Sequence, residues 1–272
     1  MSFVTVLTPT YNRATLLQHA FDSLREQTCN DFEWLIVDDG SSDGTEALIR
    51  DTFKAKPTSF DIRYIKKPNG GKHTAVNIGV KEAKGSYIII LDSDDELTND
   101  AIETIKKYAS TINSTEDLGG MAFLMEHRNG DIINKYDKQD TFCSTSTEGI
   151  RYIDASPIDI RYKYKVQGDL CEVFRAEVLR QYPFPEIEGE KFCPEVLVWN
   201  RIGLKYKLRY LEKVIYKRDY LEGGLTSKMV AIRRHSPILA CMCYKEMAKL
   251  NIPFLYKLKA RLNYLRYKIN IV

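Results

Sequence analysis

Hydrophobic and helical patterns alternate regularly over about the first 115 residues of the chain. Four apolar runs have the length of buried strands, and they lie at residues 3–7, 32–37, 62–65 and 86–91. Between the runs, apolar residues recur every three or four positions, as they do from Leu16 to Leu24, which is typical of amphipathic helices. The alternation predicts an α/β fold with a doubly wound, mostly parallel central sheet and helices on both faces.

The pattern after residue 115 is less regular. The predicted elements are a hairpin around Asn129-Gly130, a strand at 171–174 with a short helix after it, a helix beginning at Pro194, strands near 207–211 and 214–218, and two helices parted by Pro253. No element is predicted for residues 140–165, which are polar and aromatic.

The final predicted helix carries one apolar stripe. At 100° per residue the stripe is formed by Leu255, Leu258, Leu262, Leu265 and Ile269. Basic residues border it on both sides, with Lys257, Arg261 and Lys268 on one and Lys259 and Arg266 on the other. Two interpretations stay open, a helix lying in an anionic lipid interface and a helix packed on the main domain or a partner subunit. We predict a main domain at 1–225 (halves 1–125 and 126–225) and a basic helical extension at 226–272.

Composition fits a globular protein, with 44% hydrophobic and 28% charged residues among 272. The net charge of +3 hides an asymmetry, because the chain from Lys228 onward has ten Lys and Arg and one acidic residue. A membrane surface or a phosphate-bearing molecule would suit this segment, whereas the acidic remainder argues against a nucleic-acid partner.

The six cysteines form no CxxC pairs, and no leader or membrane-spanning segment is evident in the sequence. We therefore expect a cytoplasmic protein, which could also attach peripherally to the inner membrane face.

Polar residues follow three of the predicted strands at their carboxyl ends, where ligands bind in such sheets. They are Pro9-Thr10-Tyr11, Asp38-Asp39 and Asp92-Ser93-Asp94 with Asp95. Carboxylates packed this closely repel one another unless a cation or solvent offsets the repulsion. We therefore predict a divalent metal at the loop that follows the strand at 86–91.

The order of these residues resembles that of the family 2 glycosyltransferases, bacterial enzymes with the GT-A fold. The shared motifs are Thr8-Pro9-Thr10-Tyr11-Asn12-Arg13, Val37-Asp38-Asp39-Gly40-Ser41, Asn69-Gly70-Gly71-Lys72, Asn77-Ile78-Gly79 and Leu91-Asp92-Ser93-Asp94. The resemblance covers roughly the first 125 residues and resumes around 165–203. It implies a nucleotide-sugar donor, usually linked to UDP, a Mg²⁺ or Mn²⁺ ion, and transfer with inversion.

The resemblance also implies a role for each matching residue of the donor site. Pro9, Thr10 and Tyr11 match the loop that walls the base, with Arg13 in the same donor motif. Asp39 matches the carboxylate that pairs with the uracil imide, and Lys72 a basic residue near the nucleotide. Asp92 and Ser93 match positions near the ribose, and Asp94 the metal ligand.

Inverting transfer needs a general base, which in the family is the second residue of an acidic pair opening a late helix. Here the pair is replaced by Pro194-Glu195, so we predict Glu195 as the base. Nearby alternatives are Glu186, Glu188, Glu190 and Asp169. The later cluster Arg233, Arg234 and His235 is assigned to a charged helix face rather than to the site.

These features together predict a glycosyltransferase that acts on a hydroxyl of a saccharide or a lipid-linked acceptor, in surface polysaccharide or glycoconjugate synthesis. Two alternatives are a sugar nucleotidyltransferase and a non-catalytic, receiver-like signalling domain. The first should have a Gly-rich phosphate loop after its first strand, where this chain has Thr10 to Arg13. A dehydrogenase is disfavoured because no GxGxxG follows an early strand.

Overall fold

A computed structural model describes residues 2–137, 141–219 and 229–271. Its strands are β1 Val4–Thr10, β2 Phe32–Asp38, β3 Asp61–Lys66, β4 Tyr87–Ile90, β5 Glu96–Leu97, β6 Leu118–Glu126, β7 Ser144–Thr145, β8 Arg151–Ala155, β9 Cys171–Arg175 and β10 Lys207–Lys217. Its helices are α1 Leu17–Arg25, α2 Thr45–Leu48 with a π-helical turn Ile49–Phe53, α3 Lys72–Glu82, α4 Ala101–Ile112, α5 Pro157–Tyr162, α6 Ala176–Gln181, α7 Glu195–Gly203, α8 Met229–Arg234, α9 Pro237–Met247 and α10 Phe254–Lys268.

The ten described strands form one sheet in the order β3-β2-β1-β4-β9-β6-β10-β8-β7, with β5 pairing to β10. The first four strands of this order are parallel to one another, and β10 is parallel to β6. β1 and β2 are buried along their whole length, because helices cover both faces of the sheet. Apolar side chains form one large core on each face. The predicted fold class is confirmed.

The second half of the chain completes the same sheet. β9 lies between β4 and β6 and is antiparallel to both. The predicted hairpin around Asn129-Gly130 is only partly formed, since Ile132 makes a single bridge to Glu126 and the described residues 131–137 form no strand. The two short strands predicted at 207–211 and 214–218 are wrong, because β10 is continuous and absorbs a register irregularity between Leu211 and Val214.

Helices α8, α9 and α10 form the described carboxyl-terminal region, one helix more than predicted. The break at Pro253 is as predicted, and α10 starts at the next residue. The Glu190 carboxylate accepts hydrogen bonds from the amides of Ile238 (2.6 Å) and Leu239 (2.7 Å), which ties the start of α9 to the main domain. The predicted boundary at 225/226 lies outside the described residues. Among the described helices, none has the length and hydropathy that crossing a bilayer requires.

Candidate active site

The carboxyl ends of β2, β1 and β4 lie side by side, and hydrogen bonds join the loops that follow them. The amide of Asn12 donates to Ser41 Oγ (2.8 Å), which connects the loops after β1 and β2. The guanidinium of Arg13 donates to Asp94 Oδ2 (2.6 Å), which connects the loops after β1 and β4. The three predicted motifs therefore meet at one edge of the sheet.

Asp39 is buried at the end of β2, and each of its two carboxylate oxygens accepts two hydrogen bonds. Lys67 Nζ (2.6 Å) and the Gly70 amide (2.9 Å) donate to Oδ1, while Asn69 Nδ2 (3.0 Å) and the Gly71 amide (2.7 Å) donate to Oδ2. Asp39 thus holds the Gly-rich loop that leads into α3.

Lys72, the first residue of α3, bridges two predicted site carboxylates. Its Nζ lies 2.6 Å from Asp92 Oδ1 and 2.9 Å from Glu195 Oε1. Burial tends to lower the pKa of the Lys72 ammonium, but Asp92 and Glu195 outweigh burial and raise this pKa. Burial likewise opposes ionisation of Asp92, and Lys72 outweighs it, so the pKa of Asp92 is lowered. The arrangement keeps Lys72 and Asp92 charged and joins the donor loops to the helix that carries the predicted base.

Gly71 allows the loop before Lys72 to approach the loop before Glu195. Its φ of +97° lies in the region that favours glycine, and a methyl group at its Cα would overlap the backbone oxygen of Lys191. Pro194 then precedes α7, so Glu195 occupies the first helical position. The glycine and the proline together set the position of Glu195 relative to Lys72.

Asp94 fits a cation site that relies on few protein ligands. Its side chain is 23% exposed and its Oδ2 accepts from Arg13, while Arg128 Nη2 donates to its backbone oxygen (2.8 Å). In the described parts of the chain, no three His, Cys, Asp or Glu side chains are grouped so that they could share an ion. Mg²⁺ and Mn²⁺ bind carboxylate oxygens and complete their shells with water and phosphate, so a site with a single protein carboxylate such as Asp94 is compatible with their chemistry.

The other predicted donor residues differ in accessibility. Pro9, Thr10 and Ser93 are buried, whereas Tyr11 is 48% exposed. Tyr11 is therefore the member of this loop that a nucleotide base can stack on. The roles assigned to these residues stay predictions.

The structure separates Glu195 from the alternative bases. Glu190 is wrong as an alternative, because its carboxylate caps α9. Glu186 accepts from Asn77 Nδ2 (2.7 Å), and Asp169 accepts from Arg218 Nη1 (2.9 Å). Glu188 is exposed in the same loop. Of these acids, Glu195 is the one that contacts Lys72.

Two further carboxylates lie near the site; Asp95 belongs to the acidic cluster noted in the sequence, whereas Glu172 was not identified there. Asp95 is buried and accepts from Tyr216 Oη (2.8 Å), and burial together with the Asp92 charge raises the pKa of Asp95 to about 7. Glu172 lies on β9, where burial and the nearby Glu195 raise its pKa to about 8. A lone acid in the otherwise apolar run Cys171 to Phe174 was the available signal for Glu172.

The late basic cluster belongs to the carboxyl-terminal helices. Arg233 Nη1 donates to Tyr244 Oη (3.0 Å) on α9, and Arg234 and His235 are exposed. The prediction that these residues form a charged helix face agrees with this placement.

Residues 5–115 match the family model described as Glycosyl transferase family 2. Curated glycosyltransferases match over 104 to 113 residues with 33–42% identity. One is the GalNAc(5)-diNAcBac-PP-undecaprenol β-1,3-glucosyltransferase of Campylobacter jejuni, which is 34% identical over 40% of this chain and 35% of its own length. The matched region spans 10–35% of the length of these relatives.

Solved structures match nearly the whole chain. Staphylococcus aureus TarS 1–349 in complex with UDP-GlcNAc has a TM-score of 0.66 and 20% identity, covering 99% of this chain and 73% of that one. The mannosyltransferase PcManGT from Pyrobaculum calidifontis, in complex with GDP-Man and Mn²⁺, has a TM-score of 0.59 and 20% identity, with 98% and 73% covered. The structural matches support the fold, and the family match confirms the predicted resemblance over residues 5–115.

Proposed function

We propose that the chain catalyses inverting transfer of a sugar from a nucleotide-sugar donor, most simply a UDP-sugar, to an acceptor hydroxyl. The observation that carries the proposal is the Lys72 bridge, which joins Asp92 on the donor side to Glu195. Support comes from the family match at 5–115 and from the UDP-GlcNAc complex of TarS. The proposed catalytic unit is 1–225, with its donor half at 1–125.

Glu195 is the proposed general base. It lies at the first position of α7, and its Oε1 lies 2.9 Å from Lys72 Nζ, which holds the carboxylate in place. In transfer, Glu195 takes the proton of the acceptor hydroxyl as that oxygen bonds to the anomeric carbon. Lys72 then adds positive charge on the side of the site where the nucleoside diphosphate departs.

Asp94 would hold the Mg²⁺ or Mn²⁺ ion, which supplies Lewis-acid stabilisation of the leaving diphosphate when it is bound. Arg13 contacts one oxygen of Asp94 and orients the carboxylate. The Mn²⁺ in the PcManGT complex supports a divalent ion in this fold, and the choice between the two ions belongs to the proposal.

Asp39 is proposed to pair with the uracil imide, and this requires one of its bound donors to yield. Lys67 Nζ is the donor that can do so, because it also contacts Pro68 O (2.6 Å) and Thr74 Oγ1 (2.7 Å). The amides of Gly70 and Gly71 would keep the carboxylate oriented. Tyr11 would stack on the base, with Pro9 and Thr10 behind it. Asp92 and Ser93 would lie near the ribose.

The proposed acceptor is a saccharide or lipid-linked hydroxyl, as in surface polysaccharide or glycoconjugate synthesis. The lipid-linked option is supported by the name of the Campylobacter jejuni relative. No nucleic-acid partner is proposed, and a cytoplasmic location on the inner membrane face is consistent with the surface formed by α10.

The α10 stripe is exposed, so it is the opposite side of the helix that packs on the described domain. Leu255, Leu258, Leu262, Leu265 and Ile269 are 42–83% exposed. Ala260 and Tyr267 are buried on its other side, where Tyr267 packs against Ala240 and Cys241 of α9. We propose that the stripe enters an anionic bilayer surface, because α10 carries five basic residues and no acidic one.

The catalytic proposal is tested by incubating the protein with a panel of sugar nucleotides and measuring nucleotide release with Mn²⁺, with Mg²⁺ and with a chelator. We expect metal-dependent release from one donor and its loss in Asp94→Asn. Asp22→Asn, an exposed change on α1, is the matched control. Equal release by the two variants, or release that survives chelation, would contradict the metal assignment.

The lipid-surface proposal is tested by sedimentation with vesicles of phosphatidylcholine and phosphatidylglycerol. Leu262→Gln with Leu265→Gln should abolish sedimentation, whereas Leu204→Gln, an exposed leucine after α7, should not change it. A stripe variant that still sediments with vesicles would overturn the proposal. So would a wild-type protein that does not sediment with vesicles but self-associates, if the stripe variant no longer self-associates.

A further inference from the structure

A cavity of about 350 Å³ lies between α8, α9 and α10, away from the proposed catalytic residues. Its polar lining includes Arg233, Lys259 and Arg266, the hydroxyl-bearing Tyr244 and Tyr267, and Asn263. Among the residues that the structure describes, none of those lining the cavity is Asp or Glu. Three cations and neutral donors without a counter-charge make this a site for an anion.

The geometry of the lining favours a phosphate over a simple halide. Arg233 Nη1 donates to Tyr244 Oη (3.0 Å), while its Nε is buried without a hydrogen-bond partner in the described residues. The Arg266 guanidinium lies 5.8 Å from the centre of the Tyr267 ring, which is stacked on Tyr244 at 5.7 Å. Guanidinium groups held beside aromatic rings present several fixed donors, and a tetrahedral phosphate can accept from more than one of them.

The cavity adjoins the apolar stripe of α10. At 100° per residue, Lys259 and Arg266 lie on the helix surface between the stripe and the side that lines the cavity. The stripe is exposed, and the two cations line the edge of the cavity that is nearest to it. A phospholipid has the same arrangement, because its phosphate-bearing headgroup lies next to its apolar acyl chains.

We propose that the cavity between α8, α9 and α10 binds a phosphate ester, and that the phosphate comes from a lipid headgroup whose chains meet the α10 stripe. The inference rests on the lipid surface proposed above and is independent of glycosyl transfer. In the bound state Arg233, Lys259 and Arg266 neutralise the phosphate, and Tyr244 or Asn263 donates to its remaining oxygens.

The test compares two variants that each remove two charges from α10. Lys259→Gln with Arg266→Gln changes the border that lines the cavity, and Arg261→Gln with Lys268→Gln changes the opposite border; all four side chains are exposed. Binding is measured with vesicles of phosphatidylcholine containing phosphatidic acid, and by calorimetry with glycerol 3-phosphate.

If the basic residues acted only through general attraction to a charged surface, removing two of them would weaken vesicle binding of both variants equally, by about 30-fold. The proposal predicts that the cavity variant loses at least about tenfold more than the control, because direct charge-assisted hydrogen bonds are lost as well. Equal losses in the two variants would overturn it. The stripe variant Leu262→Gln with Leu265→Gln should lose vesicle binding but keep glycerol 3-phosphate binding, so failure of the lipid surface is distinguishable from failure of the cavity.

The source of the phosphate is decided by the same measurements. Loss of glycerol 3-phosphate binding in the cavity variant, with vesicle binding equal to that of the control, would assign the cavity to a soluble phosphate ester and overturn the lipid source. Glycerol 3-phosphate binding that is the same in wild type and cavity variant would place that binding elsewhere and overturn the site.

Discussion

The Nζ atom of Lys72 lies 2.9 Å from Oε1 of Glu195, although the two residues are far apart in sequence. Each is the first residue of its helix, α3 and α7 respectively. The same ammonium reaches Asp92 at 2.6 Å. One cation therefore fixes the distance between the end of β4, where the donor is proposed to lie, and the proposed base.

Replacing Glu195 by Gln should abolish transfer and leave nucleotide binding intact. The amide keeps the size of the side chain but cannot take the acceptor proton, and general-base contributions are about 10²- to 10⁴-fold in rate. Transfer is measured by product formation and binding by calorimetry with UDP. Glu188→Gln, in an exposed loop position, should behave as wild type. Lost UDP binding, or transfer that persists, would place the base elsewhere.

Replacing Lys72 by Gln should impair donor use and catalysis together. Asp92 and Glu195 would then repel each other without the ammonium between them, and the leaving group would lose a positive charge. We expect kcat/KM to fall about 10²-fold or more, the scale seen when one stabilising group is removed. Lys81→Gln on the exposed end of α3 is the control. A Lys72 variant with an unchanged rate would show that the bridge is only structural.

The first four strands and their helices were predictable because each is encoded locally. The runs at 32–37 and 86–91 are buried on both faces, so continuous hydrophobicity identifies them. β9 was found as a strand, but its place between β4 and β6 depends on pairing across long sequence distances. The continuity of β10 was missed because Glu212 and Lys213 interrupt its apolar run where the register shifts.

The candidate site was likewise predictable where a residue's position follows from the local sequence, and not where it depends on contacts between distant residues. Asp39, Asp92 and Asp94 follow strands, and the position of such residues at a sheet edge can be deduced from the sequence. The Lys72 bridge could not be deduced, because it joins the starts of two helices that are distant in sequence. Glu190 was kept as a possible base for a similar reason: its partners Ile238 and Leu239 lie about 50 residues later. Only the tertiary contacts show which of several acids that are close in sequence has a structural role, as Glu190 does.

Replacing Gly71 by Ala should destabilise the loop that carries Lys72. The positive φ alone costs about 1 to 2 kcal/mol, and overlap with the Lys191 oxygen should add about 1 to 3 kcal/mol. Gly130→Ala is a matched control, since Gly130 also has a positive φ (+91°) but a methyl group there meets no atom within 4 Å. The free energy of unfolding is measured in urea. Equal losses in both variants would show that the close approach to Lys191 is not tight in solution.

Glu172 should make the protein less stable as pH rises from about 5 to about 8. Burial and the Glu195 charge raise its folded pKa to about 8, against the opposing charge of Arg161, while an unfolded glutamate has an ordinary pKa of 4.5. The folded protein then holds a proton that the unfolded chain has released, so the free energy of unfolding falls by up to about 1.4 kcal/mol per pH unit in this window. Urea unfolding across the window should show a flatter dependence for Glu172→Gln than for Glu188→Gln.

Glu195→Gln provides the decisive comparison for this pH effect, because it removes a negative charge that helps to raise the pKa of Glu172. In that variant Glu172 should ionise at lower pH, and the loss of stability should end earlier on the pH scale. Asp169 also raises the pKa of Glu172 and is unchanged, so the shift should be partial. If Glu195→Gln and wild type follow the same stability curve, the two glutamates are not coupled, and burial together with Asp169 accounts for the raised pKa of Glu172.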